Sequence, residues 1–147
     1  MDNYNYYNIT SLDKLSSEVQ DFILNSIKIG FQKNIIKNKE WFMKINRCVY
    51  TSQILSLCSN FKIKVVEGVT VDKQGEMYFH CWNEYEGVHF NLIKDNHNYL
   101  DNYGRIIPKK ELFQHLVNCT NVNETIFTSI QNPDIIKKSV SLILDKN

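Results

Sequence analysis

Apolar positions along the chain repeat first with a helical period and then with a period of two. Leu12, Leu15, Val19, Phe22, Ile23 and Ile27 recur at i, i+3, i+4 and i+7 behind the capping residues Thr10 and Ser11, and predict an amphipathic helix over about 12–30. Trp41, Phe42, Ile45, Cys48, Val49, Ser52, Leu55 and Cys58 predict a second over roughly 39–58, broken near Asn46, with Cys48, Ser52 and Leu55 on one face. From Lys62 the pattern alternates. Val65–Val71, Met77–Tyr85 and Val88–Ile93 read as three strands of an antiparallel meander, separated by the turn signals Asp72-Lys73-Gln74-Gly75 and Glu86-Gly87. A short strand is expected over Tyr99–Ile107. Pro108 opens a helix running to about Asn118, and Pro133-Asp134 a last one ending near Leu144. Helices, a small antiparallel sheet and helices again make an α+β domain.

Length and composition narrow the functional classes. With 147 residues, 43% of them hydrophobic, the chain suits one domain with a real core. Lys and Arg number 17 against 16 Asp and Glu, so no overall field gathers nucleic acid or acidic membranes. A local basic surface remains at Lys33, Lys37, Lys39, Lys44 and Arg47, where a solvated face is the simplest reading and strand stacking on Trp41 or Tyr50 the functional one. Apolar runs are far too short to span a bilayer and the first residues form no signal peptide, so a cytoplasmic protein is expected, in the host cytoplasm if the source is viral. The four cysteines, Cys48, Cys58, Cys81 and Cys119, lack metal-ligand spacing and are expected as reduced thiols without a disulfide. Abundant Asn, Ile and Lys resemble the product of an AT-rich genome.

Hairpin turns place distant residues together. A two-residue loop at Glu86-Gly87 pairs Tyr85 with Val88 and makes His80 and Asn91 diagonal neighbours on one sheet face, roughly 7 Å apart at the backbone. A four-residue turn at Asp72–Gly75 sets Glu67 directly across from His80 and leaves Val66, Met77, Phe79, Cys81, Phe90 and Leu92 on the opposite, apolar face. His80 and Cys81 then point apart, His89 lies too far along the ladder to share an ion, and His97 and His115 have no partner pattern, so neither metal nor cofactor is expected. A histidine held between an amide and a carboxylate suits general-base work. Cys48, near the break in the second helix, is the candidate nucleophile, with Ser52 and Thr51 as weaker alternatives. The bland alternative is a packed cysteine and a satisfied structural histidine.

The run Val66-Glu67-Gly68, then His80-Cys81-Trp82, then Glu86-Gly87-Val88-His89-Phe90-Asn91 and Tyr103-Gly104 resembles small papain-like, transglutaminase-like domain proteins of phages, giant viruses and bacteria. The resemblance covers about residues 46–112. It implies a papain-like fold with its core over about 38–118, and a cysteine hydrolase or acyl or amide transferase acting on a peptide, amide or acyl substrate. It assigns the nucleophile to Cys48, the base to His80, the orienting group to Asn91, where the group usually has Asp, and substrate binding or orientation to Glu67 and Trp82. The helix motif departs too, reading Cys48-Val49-Tyr50-Thr51-Ser52 without the usual Asn and Ala, and Cys81 replaces the usual Ala. The alternative is a non-catalytic binding module of viral or defence-related role on the same scaffold. There aromatics such as Trp82 and Tyr103 would carry affinity for a protein partner.

Overall fold

A computed structural model of the chain describes residues 4–43, 48–93 and 99–119. Within them the protein is α+β. A mixed six-stranded sheet is built from β1 (Asn5–Tyr6), β2 (Ile9–Ser11), β3 (Lys64–Asp72), β4 (Met77–Tyr85), β5 (Val88–Asn91) and β6 (Tyr99–Ile106). The helices are α1 (Ser17–Gln32), the short α2 (Lys39–Phe42), α3 (Cys48–Cys58) and α4 (Lys109–Asn118). The expected last helix over 133–144 and the break near Asn46 lie outside the described residues.

The first helix starts later than its apolar period suggests. Thr10 and Ser11 do not cap it: they belong to β2, which pairs in parallel with β5, Thr10 opposite Phe90 and Ser11 opposite Asn91. The cap is Ser16, whose Oγ accepts the Val19 N–H at 3.4 Å. Leu12–Lys14 form a turn of 3₁₀ helix between the two.

Strand order is β1-β6-β3-β4-β5-β2, so the two N-terminal strands sit on opposite edges of the sheet. Tyr6 ends one and Ile9 begins the other, and three peptide steps span at most ~11 Å. The sheet is therefore curled until its edges almost meet, with Tyr7 and Asn8 as the clasp; the Tyr7 N–H also donates to the Asn102 carbonyl at 2.9 Å. Residues on the concave side are buried by this curl: Val66, Thr70, His80, Trp82, Glu84, His89 and Asn102 are all under a tenth exposed.

The convex side carries the helices. Leu15 and Ile23 pack with Leu55 of α3, Ile63 and Phe90 in one cluster, and Ile36, Phe42, Ile54 and Cys58 form a second. A third joins Val65, Cys81, Ile107 and Leu112, with Cys48, Val49, Phe61, Phe79 and Leu116 against it. Helix α3 is enclosed on most sides, and its small polar residues are buried with its aliphatic ones. Thr51 Oγ1 donates to the Phe42 carbonyl at 2.6 Å, and the Asn83 side-chain amide donates to the carbonyls of Ser52 and Lys64 at 3.1 Å each. No described helix is long and apolar enough to cross a membrane.

The β4–β5 hairpin has the expected register, Tyr85 opposite Val88 and Asn83 opposite Phe90, with Glu86 and Gly87 both at positive φ in its two-residue turn. The β3–β4 hairpin does not. Its turn holds three residues, Lys73–Gly75, because Asp72 is still a strand residue, its N–H bonded to the Glu76 carbonyl at 2.9 Å. Asp72 Oδ1 accepts the N–H groups of Gln74 and Glu76, both at 2.9 Å, and Gly75 supplies the left-handed step at φ +80°. One residue of slip moves every β3 side chain to the other face. Glu67 lies opposite Cys81, not His80, on the helix-covered side, and Val66 lies opposite Trp82 on the concave side.

Candidate active site

His80 sits in the middle of β4 and points to the concave side. Its Nε2 is 2.8 Å from Asn91 Oδ1, so the diagonal pairing inferred from the Glu86-Gly87 turn holds at side-chain level. An amide oxygen offers only lone pairs, so Nε2 carries the proton and Nδ1 is the basic nitrogen of the neutral ring.

Two further contacts fix the neighbourhood. The Trp82 indole stacks beside the His80 ring, centroids 5.6 Å apart and planes 26° from parallel. Its Nε1–H donates to His89 Nδ1 at 2.9 Å, and Tyr7 of the clasp stacks on the other imidazole at 3.9 Å. Burial lowers the pKa of His89, with the Glu84 carboxylate acting in the opposite direction. Indole N–H is a donor only, so this bond requires the neutral His89 tautomer protonated at Nε2.

Gly104 makes room for the indole and Gly68 for the neighbouring backbone. Gly68 pairs with His80 on one side and with Gly104 on the other. A Cβ on Gly104 would come within 2.6 Å of the Trp82 ring, and one on Gly68 would run into the Tyr103 carbonyl oxygen. The Glu-Gly step of the sequence is thus where β3 approaches β6 too closely for a side chain, and the Tyr-Gly step is where the indole fills the space of one.

Cys48 lies in α3, half-buried, and packs in the cluster that contains Cys81, the residue after His80. Strand alternation directs the His80 ring to the opposite side of β4 from Cys81. β5 ends at Asn91 and its ladder with β4 runs over Asn83–Tyr85, so the flank of β4 near His80 lies beyond that ladder. Cys81 itself is fully buried. Its thiol is pushed well above the ordinary range by burial, then by the charges of Glu67 and Cys48, against a hydrogen bond with Ser52. Burial also raises Cys58, to about 11.

Glu67, which was expected beside His80, occupies a different polar row. Cys81, Glu67 and Arg105 are successive cross-strand neighbours on the convex side, and Glu67 is wholly buried. Arg105 is held by Glu111 of α4 through two bonds, 2.9 and 2.6 Å. Its pKa is raised first by that hydrogen bond, with Glu67 adding to the effect. Tyr4 completes the row: its hydroxyl is pushed up to about 12 by burial, against the pull of Arg105. Sequence reading missed Arg105 and Glu111: β3 and β6 are joined by no hairpin turn, so no loop length places Arg105 beside Glu67.

Trp82 and Tyr103 are both buried, at 1% and 8% exposure, so neither presents a docking surface. Among the described residues no group of three or more His, Cys, Asp or Glu is arranged to hold a metal ion. Comparison of the chain with protein-family models, with curated proteins and with solved structures gives no match.

Proposed function

We propose that the chain is a thiol hydrolase or acyl or amide transferase in which Cys48 is the nucleophile, His80 the base and Asn91 its orienting group. The observation that carries this reading is the His80–Asn91 bond, in which a side-chain amide holds the ring as an orienting group holds a thiol base. Cys48 is the half-buried thiol of α3 to which the resemblance assigns the nucleophile. In this mechanism the Cys48 proton passes to His80 Nδ1 and Sγ attacks the substrate carbonyl carbon. The C–N or C–O bond of the leaving group then breaks, and that group departs with the proton from His80. Water, or an amine in a transferase, attacks the resulting thioester, returning the proton to sulfur. Trp82 is a positioning residue that limits tilting of the His80 ring. The reading requires Sγ and the ring to meet around the flank of β4 beyond the β5 ladder.

A binding module is the second reading, favoured by the side-chain alternation that sends His80 and the Cys48 cluster to opposite sides of β4. Alkylation kinetics separate the two. The rate at Cys48, mapped by mass spectrometry from pH 5 to 9, is expected to show a thiolate pKa below the ordinary ~8.5 that rises in His80→Ala and less so in Asn91→Ala. An unchanged profile in His80→Ala overturns the thiol-enzyme reading.

A further inference from the structure

At the end of the sheet where β6 runs into α4, a pocket of about 380 Å³ is lined by Ser56, Phe61, Lys64, Ile106, Ile107, Pro108, Lys109 and Leu112. Its size matches a ligand of one ring and one head group, at the small end of the range for ligand sites. The body of the pocket is apolar. Its charged lining residues are both cationic, Lys64 and Lys109, and Lys109 Nζ lies 5.7 Å from the centre of the Phe61 ring.

Two independent features supply donors. Helix α4 runs for 10 residues from Lys109, and its N-cap is Pro108, which has no polar side chain, so no cap bond covers its first turn. Ser56 of α3 also lines the pocket, is wholly buried, and has an Oγ without a hydrogen-bond partner. Buried hydroxyls are nearly always paired, and one left open beside a cavity marks where a ligand atom completes the set. An open helix N-terminus, two ammonium groups and a hydroxyl are all donors, more than a carboxylate's two oxygens accept, and they suit the three terminal oxygens of a phosphate.

We propose that this pocket binds a small phosphate monoester with an aromatic or apolar body, the phosphate at the α4 N-terminus between Lys64 and Lys109 and the body against Phe61, Ile107 and Leu112. The proposal does not rest on the thiol reading: Ser56 is eight residues from Cys48, about 12 Å along the helix, although Phe61, Ile107 and Leu112 belong to the cluster that Cys48 packs against. Phenyl phosphate is the probe, titrated into the full chain by calorimetry, with inorganic phosphate, phenol and benzoate beside it. Phenyl phosphate is expected to bind at least about tenfold more tightly than each of the three, and Ser56→Ala and Lys109→Gln to weaken it by about tenfold, the scale of one hydrogen bond to a charged group. Lys33→Gln, at an exposed lysine following α1, should change nothing, and all variants should melt as the wild type does. Phenol or benzoate binding as tightly as phenyl phosphate overturns the head-group assignment. Equal loss in Lys33→Gln, or none in both Ser56→Ala and Lys109→Gln, overturns the site.

Discussion

The indole N–H of Trp82 donates to Nδ1 of His89 across the concave side of the sheet, so one tryptophan links the two buried imidazoles, stacking on His80 and bonding to His89. The bond exists only while His89 Nδ1 keeps its lone pair.

Acid should therefore loosen the fold at His89. Its folded pKa is lowered by burial, so between that value and the unfolded value near 6.5 the unfolded chain binds more protons, and stability rises with pH. The stabilisation is complete above about pH 6.5 and is lost as pH falls below it. Melting temperatures of wild type and His89→Gln across pH 4–8 test this: the wild type should lose stability more steeply below about pH 6.5.

The glycines should rank by what their Cβ would meet. Gly68→Ala drives a methyl into backbone, which does not yield, and is expected to cost about 3 kcal/mol or to prevent folding. Gly104→Ala meets the Trp82 and Val66 side chains and should cost less while shifting tryptophan fluorescence. Gly75→Ala has open space around it but φ +80°, and should cost about 1 kcal/mol. Urea denaturation of the three variants gives the order directly.

Native-state alkylation at pH 8 should modify Cys48 and Cys119 while sparing Cys58 and Cys81, which are buried and whose thiols are raised. All four should react in denaturant. Early labelling of Cys81 in the native protein would contradict the enclosed cluster beneath α3.

Arg105→Met should destabilise the chain by about 3 kcal/mol, because it removes a cation from beside a wholly buried carboxylate and from the Glu111 fork. Adding Glu67→Gln should recover part of the loss, and the double-mutant cycle measures how much of the effect runs through Glu67. Glu111, whose pKa Arg105 lowers, adds an acid sensitivity of its own: stability present above its unfolded pKa near 4.3 is lost as pH falls through the lower folded value.

How much was legible in the sequence depended on turn chemistry. Glu86-Gly87 admits one common two-residue hairpin, so the His80–Asn91 contact followed from counting. Asp72-Lys73-Gln74-Gly75 is compatible with two loop lengths, and the one that forms is chosen by the Asp72 carboxylate bonding two N–H groups; with the wrong length, Glu67 was assigned to the wrong face. The strands β1 and β2 have two and three residues, too few for any period to register. Without them the curl is invisible, and Trp82 looks available to a partner when it is interior. Cys48 falls within a helix as its apolar period predicts, but which side of the sheet that helix covers follows from tertiary packing that no spacing encodes.

The clasp at Tyr7 and Asn8 also sets an order of events during synthesis. Both strands are synthesised ahead of their partners: β2 waits for β5, and β1 pairs at Gly104, about 100 residues downstream. At ~5–20 residues per second, that leaves the N-terminal segment without its partners for roughly 5–20 s. Tyr4, Tyr6 and Tyr7 lack their sheet partners throughout that interval, and the edges of the sheet can close only once β6 has been made.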